Sequence, residues 1–169
     1  MFTSYRWGTA AGIVAAVLYG FAPYRFVDLY VRGAIGEHVA FIFPPLILLG
    51  LWRLSDRIKQ DWVTVAFVTG GTLGLMLSHN AVSLMILPII IAMIVYLSLL
   101  HKKDRWQFIV LSSMYLALGF ALSSFFWLPA LVEGKYTLRD IVTRGDFSLR
   151  FVKFFEFFNP WWKYGGAGE

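Results

Sequence analysis

The sequence predicts an all-α fold: a polytopic transmembrane helix bundle of about five spans, with interfacial helices on the outer face. Two numbers and one pattern predict it. Charged residues make up 15% of the 169 residues and apolar residues 59%, against about 25% and about 45–50% in soluble domains. That is too little charge to cover a surface in water, and the mean hydropathy of +0.66 agrees. The apolar residues also gather in long runs between short charged loops, as spans of about 20 residues require. A freely soluble globular enzyme is thereby excluded, and so is intrinsic disorder. Cysteine is absent, which excludes disulfides and thiolate metal sites.

The spans follow in order. The first covers about Trp7–Pro23; no small-residue cleavage site leads from it into a soluble domain, so it is a span and not a signal peptide. The second, about His38–Trp52, contains Pro44-Pro45, which remove two backbone donors and predict a kink. The third, about Trp62–Ser78, carries Gly70, Gly71 and Gly74, a small-residue face on which another helix can pack closely. The fourth covers about Ala81–Leu100 and the fifth about Phe108–Val132, with Pro129 bending its exit. Residues 1–132 thus form the bundle. Residues 133–169 form an outer-face segment whose aromatic run Phe151–Trp162 reads as a helix lying in the interface. The glycine-rich end, Tyr164–Glu169, reads as that of a truncated protein, so missing parts of the same polypeptide are expected partners.

Loop charge sets the orientation. Arg6, Arg53, Arg57, Lys59, Lys102, Lys103 and Arg105 place seven basic residues on one side, whereas the opposing short loops hold Arg25 and Arg32. The six basic residues after Val132 are diluted over a longer stretch. The N-terminus is therefore expected in the cytoplasm and the C-terminus outside, in a multi-pass protein of the plasma membrane. Basic residues sort by loop and form no nucleic-acid patch.

This orientation gathers the unusual residues outside. Arg25, Asp28 and Arg32 fall at i, i+3 and i+7 of a short interfacial helix. Either Asp28 neutralises one of the arginines near the membrane, or the two guanidinium forks hold an anionic headgroup or phosphate. Tyr24 and Tyr30 lie on the same helix at headgroup depth, and Trp127 at the outer interface. Glu37 and His38 open the second span, and Ser78-His79-Asn80 forms the turn between the third and fourth. Ionisable residues at membrane depth suggest function. His79 is a phosphate donor or proton carrier on that reading, while Asn80 as a helix cap is the structural alternative. Tyr24, Arg25, Arg32, His79 and Asn80 are thus the substrate- or phosphate-binding candidates, with Asp28 and Glu37 the acidic ones. No cofactor is expected; a divalent metal on the His and Glu residues is the alternative, without ligand spacing to support it.

Four ordered motifs carry a resemblance. They are Pro23-Tyr24-Arg25-x-x-Asp28-x-Tyr30-x-Arg32-Gly33-Ala34-x-Gly36-Glu37, Leu77-Ser78-His79-Asn80, Phe126-Trp127-Leu128-Pro129-Ala130-Leu131-x-Glu133, and Pro160-Trp161-Trp162-x-Tyr164-Gly165-Gly166. The chain resembles the prokaryotic polytopic membrane proteins labelled 6-pyruvoyl-tetrahydropterin-synthase-related, which are similar to GT-C glycosyltransferases and to YfhO-like membrane proteins. The resemblance implies a membrane glycosyltransferase that takes sugar from a polyprenyl phosphate at the outer leaflet. The alternative is a non-catalytic protein that binds or moves a lipid-linked envelope precursor. The pterin label implies no pterin chemistry, because His38, His79 and His101 lie in three separate loops and build no synthase-type zinc site. In GT-C enzymes the catalytic acid lies in a large outer loop after the first span. That loop is expected to be missing here, which leaves Asp28 and Glu37 as the acidic candidates.

Overall fold

The computed structural model describes residues 8–56, 61–100 and 104–136. Arg6, Arg57, Lys59, Lys102, Lys103 and the expected interfacial helix over 151–162 lie outside them. All regular structure among the described residues is helical. The chain divides into a compact unit that runs to Phe126 and a second that starts at Trp127.

The first helix, α1 (Thr9–Gly20), stops earlier than the expected span, and proline chemistry explains why. Pro23 pushes the preceding residue into extended backbone, and Ala22 takes φ −57°, ψ 128°. Pro23 then opens α2 (Pro23–Val31) at a position whose amide needs no partner. The two helices bend by 43° about this break. The second half of α2, Val27–Val31, is π-helical, and Arg32 N–H reaches back five residues to Val27 O at 3.0 Å.

Gly33 turns the chain with φ +63°, a conformation that costs glycine least. Gly36 lies inside α3 (Ile35–Ala40), whose continuation α4 (Phe43–Asp56) begins after a break at Phe41-Ile42. The second span is thus longer than expected, Ile35–Asp56, and its interruption falls just ahead of Pro44 and Pro45. Pro45 has no N–H to offer the carbonyl of Phe41. The Tyr19 hydroxyl donates to that carbonyl instead, at 2.6 Å, and so ties the end of α1 to the broken span. The rest of α1 adds little to the core, since Gly12 is its single buried residue.

Helix α5 (Trp62–Ser78) has the expected bounds. Asp61 caps it by accepting from Thr64 N–H at 2.6 Å, and Arg53 donates to the same carboxylate at 3.1 Å. The Thr64 amide, with Arg53 behind it, holds the Asp61 carboxyl below the usual carboxylate range. The middle of α5, Ala66–Gly70, is also π-helical. Helix α6 (Asn80–Leu100) follows after a one-residue turn, and α7 (Arg105–Leu122) returns antiparallel to it. Helix α5 touches α4, α6 and α7 and is the centre of the bundle. Small residues make the approach possible. A Cβ on Gly50 would lie 2.6 Å from Val68 Cγ2, one on Gly71 2.7 Å from Ile47 Cγ1, and one on Gly119 2.6 Å from the Thr69 carbonyl. Gly70, expected on this face, is exposed with nothing within 4 Å; Gly71 and Gly74 carry the packing. Ile47, Leu51, Leu54, Val68, Leu97 and Phe108 are fully buried between these helices.

The fifth helix ends at Leu122, ten residues short of the expected Val132. Ser123 turns its hydroxyl back onto the Phe120 carbonyl at 2.8 Å, a side-chain bond that competes with helix continuation. A further helix, α8 (Ser124–Val132), carries Pro129 inside it and leads to a short 3₁₀ turn at Glu133–Tyr136.

Among the described residues three helices are therefore long and apolar enough to cross a membrane, or four if α1 and α2 form one bent span. Helix α5 lies at the lower end of spanning length, about 17 residues. Trp62 and Trp106, which open α5 and α7, are strongly exposed at the same end of the bundle, where Trp belongs in a membrane–water interface.

Candidate functional site

The other end of the bundle carries a polar cluster built by the breaks just described. The π-turn in α2 directs Asp28 inward, so that none of this residue is exposed. Helix α3 supplies Glu37, of which 8% is exposed. Arg32, at the turn between them, places one nitrogen against both carboxylates. Its Nη1 lies 3.1 Å from Asp28 Oδ1 and 3.1 Å from Glu37 Oε2. The same nitrogen donates to the Tyr24 hydroxyl at 2.7 Å, and that hydroxyl donates to Glu37 Oε1. The Tyr24 phenol and the Glu37 carboxylate beside it raise the Arg32 guanidinium above its already high value, so it is always charged. Asp28 Oδ2 is buried and lacks a hydrogen-bond partner.

Of the two ion pairs open to Asp28 from its spacing, the structure forms the one with Arg32. The five-residue reach of the π-turn changes the register of an α-helix and leaves Arg25 outside the carboxylate cluster. Arg25 makes no ion pair among the described residues. Its guanidinium stands 5.4 Å from the centre of the Tyr19 ring and 5.9 Å from that of Phe41, within cation–π range. Its Nε is buried without an acceptor. Tyr19 and Phe41 were not among the residues singled out from the sequence. A signal existed in the tyrosine that ends an apolar helix four residues before Pro23 and in the carbonyl that Pro45 leaves unpaired.

The turn at Ser78-His79 meets α3. A Cβ on Gly36 would lie 2.8 Å from the Ser78 carbonyl, so α3 rests directly on the end of α5. This brings the His79 imidazole within electrostatic reach of Glu37, and His38 within reach of Asp28. Asn80, the expected cap, is instead the exposed first residue of α6. His79 takes the cap position with extended backbone, and its Nδ1 accepts from Val82 N–H at 3.3 Å. Nδ1 can accept only when unprotonated, so the ring's proton sits on Nε2. His79 thus offers an N–H donor rather than a lone pair. Tyr30 is exposed and stacks on Phe26 at 6.3 Å.

Chemically, the end of the bundle combines an arginine paired with two buried carboxylates and a second arginine with no counter-ion among the described residues. Among the described residues no three His, Cys, Asp or Glu side chains converge to hold a metal ion.

Apolar helices packed through glycine and broken at proline, with ionisable side chains gathered at one end, define a polytopic α-helical membrane protein. The chain belongs to the family of membrane proteins described as 6-pyruvoyl-tetrahydropterin synthase related domain, which matches residues 1–167. It is similar, at 25% identity over 142 residues, to an uncharacterized protein of Lactococcus lactis subsp. cremoris (strain MG1363). That match covers 83% of this chain and 23% of the relative, so the chain spans about a quarter of the length of the curated relative it matches. No solved structure matches the chain.

Proposed function

We propose that the chain is part of a GT-C-like glycosyltransferase of the plasma membrane that binds a lipid-phosphate-linked sugar at the outer leaflet, with Arg25 as the phosphate ligand. One observation supports this above the others. Arg25 is a guanidinium with a buried, unpaired donor and no carboxylate partner among the described residues, beside a cluster whose own arginine already pairs with two carboxylates through Nη1. A planar fork in that state is matched by a phosphate. His79 adds an N–H donor on the neighbouring turn, with Asn80 beside it. A second reading, binding or moving the lipid-linked precursor without chemistry, is favoured by the burial of Asp28 and Glu37 and their engagement by Arg32.

The full-length protein in detergent, titrated with a polyprenyl phosphate, tests the phosphate ligand. A charge-assisted hydrogen bond contributes about 1.5–3 kcal/mol, so Arg25→Gln is expected to weaken binding at least tenfold while leaving the melting temperature unchanged. Unaltered affinity would remove Arg25 from the site. Release of sugar from a polyprenyl-phosphate sugar supports the transferase, and binding without release supports the second reading.

The proposed orientation has its own test. Tyr30 and Asp104 are exposed at opposite ends of the bundle. In intact cells, cysteine replacing Tyr30 is expected to react with an impermeant thiol reagent, and cysteine replacing Asp104 is expected to be protected. The reverse pattern would place the cluster on the cytoplasmic side.

A further inference from the structure

The two carboxylates of the cluster share a single cationic partner. One nitrogen of Arg32 contacts both, at 3.1 Å each. Two ionised carboxylates held on one nitrogen repel each other. Counting charge gives the same result. Asp28 and Glu37 bring two negative charges and Arg32 one positive, and Asp28 is wholly buried, with Oδ2 touching neither solvent nor any donor. A buried oxygen of an ionised carboxylate without a partner is strongly disfavoured.

We propose that the Asp28–Glu37 pair binds a single proton at neutral pH, held on Asp28, with Glu37 as the ionised member. The partners divide in that way. Glu37 accepts from the Tyr24 hydroxyl through Oε1, and its Oε2 is ion-paired with Arg32 Nη1 at 3.1 Å, so both its oxygens have a partner. Asp28 has one oxygen served and one without a donor. A proton on Asp28 balances the cluster, with Glu37 against Arg32. The other groups near Asp28 are accounted for. Tyr24 is committed to Glu37, while His38 on α3 and His79 at the end of α5 add no negative charge. The pair therefore separates its roles: Asp28 is a proton donor and Glu37 a fixed negative charge. This differs from treating the two as interchangeable acids, and it does not depend on what Arg25 binds.

The full-length protein without ligand provides the test. Asn is isosteric with protonated Asp and Gln with protonated Glu. At pH 7, Asp28→Asn is expected to keep the wild-type melting temperature within about 2 °C, whereas Glu37→Gln lowers it by more than about 4 °C. A loss in Asp28→Asn as large as that in Glu37→Gln overturns the proposal, and so does the absence of any loss in both. Should Glu37→Gln fail to fold, infrared spectra decide. The wild type should show a carboxylic-acid carbonyl stretch at pH 7 that disappears in Asp28→Asn, and a wild type without that band overturns the proposal. A melting temperature that rises with Mg²⁺ and falls with chelator would show that a metal ion, and not a proton, joins the pair.

Discussion

Replacing Arg32 with glutamine is expected to be the most damaging single change at the polar end of the bundle. Arg32 Nη1 contacts Asp28, Glu37 and Tyr24 together, so its loss leaves Glu37 as an uncompensated charge of which 8% is exposed. Breaking a buried pair by removing one partner costs about 3–5 kcal/mol. The Arg32 side chain is itself 48% exposed, so water screens part of the interaction and lowers the expected loss to about 2–4 kcal/mol. Arg25→Gln, by contrast, removes no ion pair among the described residues. Thermal melts of the purified full-length variants separate the two: Arg32→Gln should melt well below wild type and Arg25→Gln beside it. Equal melting of both would mean that the carboxylates find compensation without Arg32.

The second large effect is expected at Gly119, where α7 rests on the π-turn of α5. A Cβ there would lie 2.6 Å from the Thr69 carbonyl and 2.7 Å from Thr72 Cβ, and the first of these is backbone that cannot swing aside. Gly119→Leu must therefore push the helices apart and break the bond from Thr69 Oγ1 to the Tyr115 carbonyl, 3.0 Å long. Overpacking costs about 1–3 kcal/mol, and a hydrogen bond between helices in a membrane adds about 0.6 kcal/mol on average. In lipid no hydrophobic force draws the helices back together, because the acyl chains are as apolar as leucine. Close fit is what remains, so the loss should be near the upper end. Gly70→Leu is the control, since Gly70 faces open space on α5 and should leave the melting temperature nearly unchanged. A Gly119→Leu protein that melts with the wild type would show that α5 and α7 do not meet at this contact.

Hydropathy made the apolar helices legible, because a lipid-facing span advertises itself over its whole length. The bounds of α5 and the start of α6 to within one residue were readable for that reason. Breaks inside apolar runs were less so. Pro23 and Pro44-Pro45 carry a local signal, since a ring without an N–H alters the backbone beside it. Ser123 ends α7 through one hydroxyl in a stretch that stays apolar on both sides, and composition averages over it. The polar residues of the end cluster were visible one by one, as rare ionisable groups at membrane depth. Their pairing was not. Helical spacing treats Arg25 and Arg32 as equals around Asp28, and only the π-turn distinguishes them. Tyr24 was visible as an interfacial aromatic, but its bridge between Arg32 and Glu37 joins positions eight and thirteen residues away. The family match carries the membrane assignment that composition indicated, and the chemistry of the site rests on the arrangement of α2 and α3.

The π-turn over Val27–Val31 has a genetic meaning as well as a geometric one. A single π-turn is equivalent to an α-helix that has taken in one residue, which shifts the phase of everything on one side of it by about 100°. Chain length here is therefore information. Deleting one codon within this stretch lets an ordinary helix form, yet it rotates Tyr24 and Arg25 away from Arg32 by more than a quarter turn without altering any of the three. In aligning this chain with its relatives, a one-residue gap at this place would matter more than several substitutions, because it changes which arginine the acids can reach.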